Sequence, residues 1–345
     1  MRLATKPRRI APLLALVCGA FAVTLNPSDY PGGGATPPVN QDIVSQYNLS
    51  KVPDIPVRTT PAEWTFSALD IASCPNKRTW GQTFDDGPSE YTDGLLDHLD
   101  QKGQKVTFFV IGVNVVGYPN QLLRAYQSGH QIAIHTWTHP YLPEKSNSEI
   151  IMELWWTARI IKDVIGVTPR YMRPPFGNLD DRVRGVIAAM GLKIVTWNSD
   201  TQDWAHKDTA QSFVPAEIQK SLNNPPADNG IISLEHDYWQ STAAVGATAT
   251  GIILNGGWKI QPVAVCMNDS SPYQEGAGTL SPWFPSTTTT ASTTASPSPP
   301  AVTGVNVFSQ FGSLGARWSK QAGQQQSSHR DRPAPEELDV YGLRV

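Results

Sequence analysis

Short apolar runs alternate with longer amphipathic stretches between Cys74 and Cys266. A short apolar run bounded by turn residues is typical of a strand, and apolar positions that recur every three or four residues are typical of a helix. The apolar runs predict strands at residues 80–84, 106–111, 131–134, 170–172, 193–197, 231–234 and 259–265. The amphipathic stretches predict helices at residues 92–101, 120–128, 147–165, 179–190, 210–222 and 242–254.

The helix at residues 147–165 has the clearest sequence limits. Ser146 and Glu149 form a capping box at its start, and Gly166 is placed to end it. A strand followed by a helix, repeated about seven times, indicates an α/β domain with a parallel sheet. The pattern fits an open sheet and a closed barrel equally well. In both architectures functional side chains lie in the loops that follow the carboxyl ends of the strands.

The first 22 residues have the pattern of a secretory signal peptide. Four basic residues precede an apolar run at residues 10–17, and Ala20-Phe21-Ala22 provides a small-x-small cleavage site. A membrane anchor is the alternative, but the run is shorter than the ~20 apolar residues that a span requires. We therefore expect a secreted protein, extracellular or in the cell wall, with Cys18 removed.

The rest of the chain divides by composition into four segments. Residues 23–70 are rich in proline and glycine and predict a loosely ordered lead-in to a globular domain over residues 71–270. Residues 282–302 are rich in Ser, Thr and Pro, and residues 286–300 contain almost only Ser, Thr, Ala and Pro, which is typical of a linker or an O-glycosylated stalk. Residues 303–345 are polar, predict a disordered tail and lack the apolar end that a glycolipid anchor requires.

The net charge limits the classes of binding partner to expect, and the cysteines indicate the redox state of the cellular compartment. The net charge is −3 and no basic stripe occurs, which argues against nucleic acid or anionic lipid as a partner. No later run predicts a transmembrane segment. Cys74 and Cys266 predict a disulfide in an oxidising compartment, with two unrelated buried thiols as the alternative. Asn48 and Asn268 begin glycosylation sequons.

Two polar motifs that follow predicted strands have the residue types of a metal site. Asp85 and Asp86 precede Gly87-Pro88, so a turn allows one carboxylate to bind a metal while the other acts as a base. A polar turn with surface acids is the alternative. His135 and His139 are spaced to bind one divalent ion together with Asp86, although a lone His-x₃-His pair is a weak signal.

Three further segments carry candidate binding or acid–base groups. Arg173-Pro174-Pro175-Phe176-Gly177 predicts a rigid loop that fixes the arginine, with a solvated arginine as the alternative. Residues 200–204 and 234–237 follow two other strands, and a histidine paired there with a carboxylate would have a raised pKa and act as a general acid. Nearby aromatic residues suit the apolar faces of sugars, although single aromatics are more often core: Trp137, Trp204, Tyr238 and Trp239.

Together and in this order, the five motifs resemble those of the NodB-type polysaccharide deacetylases, carbohydrate esterase family four. The resemblance covers roughly residues 74–266. Within the family, the motifs look most like those of the fungal chitin deacetylases. It implies a distorted (β/α) barrel of about seven strands. It also implies roles for individual residues: Asp85 as catalytic base, His236 as catalytic acid, Arg173 as orienter of the base, Asp200 as the group that tunes the acid, and Asp86, His135 and His139 as metal ligands.

The same resemblance implies how the substrate is held and what the reaction is. The backbone N–H of Phe176 would help to hold the oxyanion, Trp204 would form a groove wall and Leu234 would line the pocket. Trp137 is expected to bind substrate as well, on its aromatic character rather than on the resemblance. The expected enzyme is a monomeric chitin deacetylase that uses Zn²⁺ or Co²⁺. Alternatives are an acetylxylan esterase, a peptidoglycan N-acetylglucosamine deacetylase, or a catalytically silent sugar-binding protein of the cell wall.

Overall fold

The computed structural model describes residues 22–60, 65 and 67–275. The signal peptide, except for its last residue, the Ser/Thr/Pro-rich linker and the C-terminal tail therefore lie outside the described residues. Among the residues described, no helix has both the length and the apolar character that crossing a bilayer requires.

Short strands and longer helices alternate along the described chain. The strands are β1 (Thr79–Gly81), β2 (Thr83–Asp85), β3 (Thr107–Val110), β4 (Gln131–Ile134), β5 (Tyr171–Met172), β6 (Lys193–Ile194), β7 (Ser199–Asp200), β8 (Ile231–His236) and β9 (Lys259–Ile260). The helices are α1 (Gln41–Val44), α2 (Thr92–Gln101), α3 (Gly112–Gly117), α4 (Pro119–Gln127), α5 (Asn147–Ile165), α6 (Asp181–Ala189), α7 (Ala210–Asn223), α8 (Gln240–Asn255) and α9 (Val263–Cys266).

All pairs of neighbouring strands run parallel, which confirms the α/β class. The strand order is β6-β5-β4-β3-β2-β8-β1-β9, and β7 also pairs with β8. Trp80 lies opposite Ile231 and Asp85 opposite His236, so β1 and β2 keep one register along β8. The ladder is not closed, but β6 and β7 are consecutive strands joined by residues 195–198. The sheet thus curves like an incomplete barrel, as the family resemblance implied.

Three predicted strands are interrupted or end early in the structure, and one of them is the run at 193–197, which ends at Ile194. The run at 80–84 is interrupted at Gln82, whose side-chain amide donates to Glu235 and accepts from Thr250. The run at 259–265 ends at Ile260 and continues as helix α9. The backbone N–H of Val263 donates to the hydroxyl of Thr107, a partner that only tertiary packing provides.

Helix α5 is the main packing element of the core. Its capping box at Ser146 and Glu149 is formed, and Gly166 ends it in a left-handed conformation with φ 81°. Most of its residues are buried, because it packs against α3, α4 and α6 as well as the sheet. Cys74 and Cys266 form a disulfide with a Cα–Cα distance of 5.5 Å across 192 residues, which joins the two ends of the domain.

The lead-in at residues 23–70 is more ordered than its composition predicts. Val44 and Tyr47 are buried in the main core, and α1 packs against α5. The Tyr30 ring stacks on Trp137 at 6.3 Å, and its hydroxyl donates to Asp163. The expectation of a loosely ordered segment is wrong where the chain is described, because isolated apolar residues find partners on α5. Asn48 and Asn268 are exposed, and their glycosylation stays a prediction.

Candidate metal and acid–base site

The sequence-predicted polar residues meet at the carboxyl ends of neighbouring strands. Asp85 is the last residue of β2, and His236 lies beside it as the last residue of β8. His135 follows β4, and Arg173 follows β5. Parallel strands bring these loops to one edge of the sheet, and the side chains there are buried.

Three side chains converge on one point that could hold a metal ion. The ligand atoms of Asp86, His135 and His139 all lie within 4.8 Å of one another. The Nε2 atoms of His135 and His139 are each 3.4 Å from Oδ1 of Asp86. Two nitrogens and one oxygen match the ligand set of catalytic zinc sites, which keep further positions open.

The protonation states of these atoms favour a bound cation. His135 Nδ1 lies 2.8 Å from the carbonyl oxygen of Arg173, which can only accept, so in the neutral ring Nδ1 carries the proton and Nε2 has the free lone pair. Burial lowers the pKa of His139 to about 3 and keeps its ring neutral. Oδ1 of Asp86 is buried and has no hydrogen-bond partner among the described residues. Three acceptors that face one another fit a divalent cation.

The backbone at the metal site adopts rare conformations. Asp86, Thr136 and His139 have φ values of 74°, 66° and 58°, in the left-handed region. Such non-glycine residues cost about 1–3 kcal/mol each and persist only where surrounding contacts hold them. Asp86 is held because its N–H donates to Phe109 and its carbonyl accepts from the side chain of Asn114. The next residue must be glycine, since a Cβ on Gly87 would lie 2.3 Å from Asp237 Oδ1.

Asp85 lies next to the metal cluster and is held by Arg173. The guanidinium of Arg173 donates to Oδ1 of Asp85 at 2.8 Å, while Oδ2 lies 3.7 Å from His135 Nε2. Arg173 is itself fixed, since it also donates to the hydroxyl of Thr83 and stacks 4.3 Å from the ring of Phe109. Burial raises the pKa of Asp85, and the positive charge of Arg173 opposes that rise.

His236 forms a buried pair with Asp203. Its Nδ1 lies 2.7 Å from Oδ1 of Asp203, and its backbone N–H donates to the other carboxylate oxygen. Burial alone would lower the pKa of His236, but the Asp203 carboxylate outweighs it and raises the pKa to about 10. The ring therefore carries a proton at neutral pH.

Asp200, which the family resemblance marked as the group that tunes the acid, forms its hydrogen bond elsewhere. Oδ1 of Asp200 accepts from the N–H of Gln202 and thus closes a local turn. Burial raises the pKa of Asp200 to about 6. The turn brings Asp203, three residues later, to the imidazole. The sequence contained both carboxylates, and the direct contact of Asp203 with His236 was not predicted.

Trp137 does not line the site, contrary to expectation. Its side chain is fully buried between Tyr30 and Trp156, so it belongs to the core. Phe176 is half-buried, stacks on Tyr141 at 4.1 Å and contacts the His139 ring edge-on at 4.5 Å.

The other expected binding residues lie near the acid group. Trp204 directly follows Asp203 and is partly exposed, whereas Leu234 is 5% exposed and belongs to a smaller apolar cluster. Trp239 was noted among the aromatic residues, and its ring centroid lies 6.0 Å from that of His236. Lys207 covers this ring at 4.3 Å. A cavity of about 700 Å³ in the described part of the chain lies elsewhere, between Arg78 and Asn255. None of the candidate site residues lines it.

Comparisons with known proteins agree with this geometry. A sequence model described as polysaccharide deacetylase matches residues 72–195. The chain is 39% identical to chitin deacetylase 1 of Cryptococcus neoformans var. grubii over 70% of this chain and 59% of that protein. It is 34% identical to the chitin deacetylase of Amylomyces rouxii over 74% of this chain and 70% of that protein.

A solved structure has a similar fold. The chitin deacetylase of Colletotrichum lindemuthianum matches with a TM-score of 0.56 at 27% identity, over 59% of this chain and 95% of that one. The chain spans only 49% to 70% of the length of the first curated relatives that it matches.

Proposed function

This chain belongs to the polysaccharide deacetylase family, and on that premise we propose that it is a secreted, metal-dependent chitin deacetylase. It hydrolyses the N-acetyl groups of N-acetylglucosamine units in chitin and releases acetate and chitosan. The observation that carries the proposal is the convergence of Asp86, His135 and His139 beside a buried carboxylate and a protonated imidazole. The likeness to named chitin deacetylases supports the choice of substrate.

Asp86, His135 and His139 would hold Zn²⁺ or Co²⁺. Neutral imidazole nitrogens and a carboxylate are ligands that both ions accept. A divalent ion there supplies Lewis-acid polarisation of the acetamide carbonyl. The chain contributes the fixed orientation of the ligands, through the hydrogen bond from His135 Nδ1 to the carbonyl of Arg173.

Asp85 acts as the general base. Its carboxylate accepts a proton from the attacking water while Arg173 holds it in place. The new C–O bond forms at the acetyl carbon, and the carbonyl oxygen gains negative charge. The backbone N–H of Phe176 is the proposed donor to that oxygen, in a loop where Phe176 has φ 58°. Because this donor is main chain, the side chain at position 176 is not critical for it.

His236 acts as the general acid. It transfers its proton to the amide nitrogen as the C–N bond breaks, so the sugar leaves as a neutral amine. The Asp203 carboxylate keeps the imidazole protonated and oriented for this step. Trp204 and Leu234 are proposed to contact the sugar and the acetyl methyl group, since both lie beside the strand end that carries His236.

Secretion is supported by the leader pattern and by a disulfide that suits an oxidising compartment. We assign the protein to the extracellular space or the cell wall, as a monomer. Asp200, which is half-buried near the acid pair, is proposed to act electrostatically on His236.

The test measures acetate release from chitin oligomers by the full chain, with and without chelator. Asp85→Asn and His236→Ala should each retain bound metal and lose ~10²–10⁴-fold in rate, the usual contribution of a general base or acid. Near-normal rates in either variant would contradict the assigned roles, and insensitivity to chelator would contradict the metal. Acetylxylan and peptidoglycan serve as comparison substrates, and sugar binding without acetate release would identify a silent binding protein.

A further inference from the structure

The loop that carries both metal histidines is bonded to a buried carboxylate on helix α5. Glu153 lies in that helix and its side chain is fully buried. We propose that Glu153 is a positioning residue for the metal site, which holds His135 and His139 in binding geometry through the loop between them. This inference rests on the metal-dependent function proposed above.

Glu153 binds the loop through three hydrogen bonds. One carboxylate oxygen accepts the backbone N–H groups of Trp137 and Thr138, each at 2.8 Å. The other oxygen accepts the hydroxyl of Thr138 at 2.6 Å. All three donors belong to the residues between the two histidines. Burying a carboxylate costs free energy unless such donors bond to it. The hydrogen bonds to this loop therefore explain why the carboxylate of Glu153 is buried.

The opposite side of the same loop is bonded to helix α3. The first N–H groups of that helix, from Gly112 and Val113, donate to the carbonyl oxygens of Thr136 and Trp137. The peptide groups between the histidines are therefore held from both sides. Helix α3 donates hydrogen bonds to them from one side, and Glu153 accepts hydrogen bonds from the other. Two-sided bonding fixes both the position and the tilt of the loop.

This bonding explains how the loop keeps its unusual backbone. Thr136 and His139 have positive φ values, which non-glycine residues adopt only when other contacts hold them. His139 also needs its N–H bond to the hydroxyl of Thr136. Without Glu153, the backbone N–H groups of Trp137 and Thr138 would lose their acceptor and the loop could relax. His139 Nε2 would then leave its place 3.4 Å from Asp86 Oδ1.

Glu149 offers a matched control on the same helix. It lies one turn earlier, and its carboxylate accepts the N–H of Ser146 in the capping box. Its removal weakens the start of α5 but touches no part of the histidine loop. A change that merely destabilises the helix should therefore appear in both variants, whereas a change in metal affinity should appear only with Glu153.

The experiment strips the full chain of metal and measures Zn²⁺ affinity by competition with a chromophoric chelator, with thermal unfolding recorded in parallel. Glu153→Ala should bind Zn²⁺ at least ~10-fold more weakly, as for other groups that orient metal ligands. Glu153→Gln keeps an oxygen for the two N–H groups and should stay within ~3-fold of wild type. Glu149→Ala should lower the unfolding temperature and leave the affinity unchanged.

Equal affinities for Glu153→Ala and wild type would overturn the proposal, as would a Glu153→Gln variant as weak as the alanine variant. If Glu153→Ala does not fold, Thr138→Val removes one of the three bonds and should weaken Zn²⁺ binding measurably. Unchanged affinity in Thr138→Val would then refute the role. A wild-type chain that binds no Zn²⁺ would instead contradict the proposed function itself.

Discussion

The site has a metal half, formed by Asp86, His135 and His139, and an acid half, formed by Asp203 and His236. The two halves differ in whether their polar atoms find hydrogen-bond partners within the chain. In the metal half, the Nε2 atoms of His135 and His139 each lie 3.4 Å from Oδ1 of Asp86, which has no hydrogen-bond partner among the described residues. In the acid half, both carboxylate oxygens of Asp203 accept hydrogen bonds from His236. The first half has the donor set of a cation site, whereas the second is an ion pair formed within the chain. Under the proposed function, the chain itself supplies the acid, whereas the metal would have to be bound.

The backbone repeats this contrast. Asp86, Thr136 and His139 in the metal half have left-handed conformations, and their positions depend on bonds from α3 and α5. His236 in the acid half is a regular residue of β8, fixed by its ladder and by Asp203. We therefore expect the metal half to be sensitive to distant changes and the acid half to respond mainly to its direct partner.

Removal of a metal ligand should have the largest effect. His139→Ala deletes one of three ligands, and its loss should exceed the ~10–100-fold cost of removing a group that only orients a ligand. Acetate release at limiting Zn²⁺ should thus fall by more than ~10²-fold, with partial recovery at high Zn²⁺. The measurement is a Zn²⁺ titration of activity in the stripped enzyme. Wild-type dependence on Zn²⁺ would show that the site is elsewhere.

Removal of Asp203, the partner of the proposed general acid His236, should have a smaller effect on activity, and this effect should depend on pH. Asp203→Asn removes the charge that raises the pKa of His236 from 6.5 to about 10. The imidazole then loses its proton at lower pH, so the alkaline limb of the kcat/KM profile should move toward acid by at least ~1 unit. The ion pair also stabilises the fold fully below pH 6.5, and this contribution is lost as the pH rises to about 10.

Asp200→Asn is the matched control for that profile. Asp200 bonds to Gln202 rather than to the imidazole, so its removal should move the alkaline limb less than Asp203→Asn does. A larger shift with Asp200→Asn would reverse the assignment of the two carboxylates.

The smallest effect on catalysis should come from Trp137→Phe. Its indole is packed in the core beside Gly112, where an added Cβ would lie only 2.2 Å from the ring. The smaller ring should reduce the free energy of unfolding by about 1–2 kcal/mol. The KM for chitin oligomers should not change, whereas Trp204→Ala should raise it. A raised KM in Trp137→Phe would return this residue to the substrate site.

Local pattern was sufficient to predict much of the fold. Helices α2 and α5 begin and end where the sequence predicts, because their amphipathic period and the Ser146 cap are local properties. Helix α3 was missed, since its six residues have little helical pattern and its first N–H groups bond to the distant histidine loop. The apolar run after residue 260 was predicted to be a strand but forms helix α9. There too a backbone N–H, that of Val263, bonds to a residue distant in the chain, Thr107.

The sequence by itself determined the parallel α/β class, the pair of cysteines and the set of polar residues at the strand ends, because these follow from periodicity and from residue type. Only the tertiary structure decided that Asp203 rather than Asp200 pairs with His236, that Trp137 is core, and that Glu153 holds the histidine loop. Each of these depends on which side chains meet across the fold. Side-chain contacts between residues far apart in the chain leave no periodic signal in it.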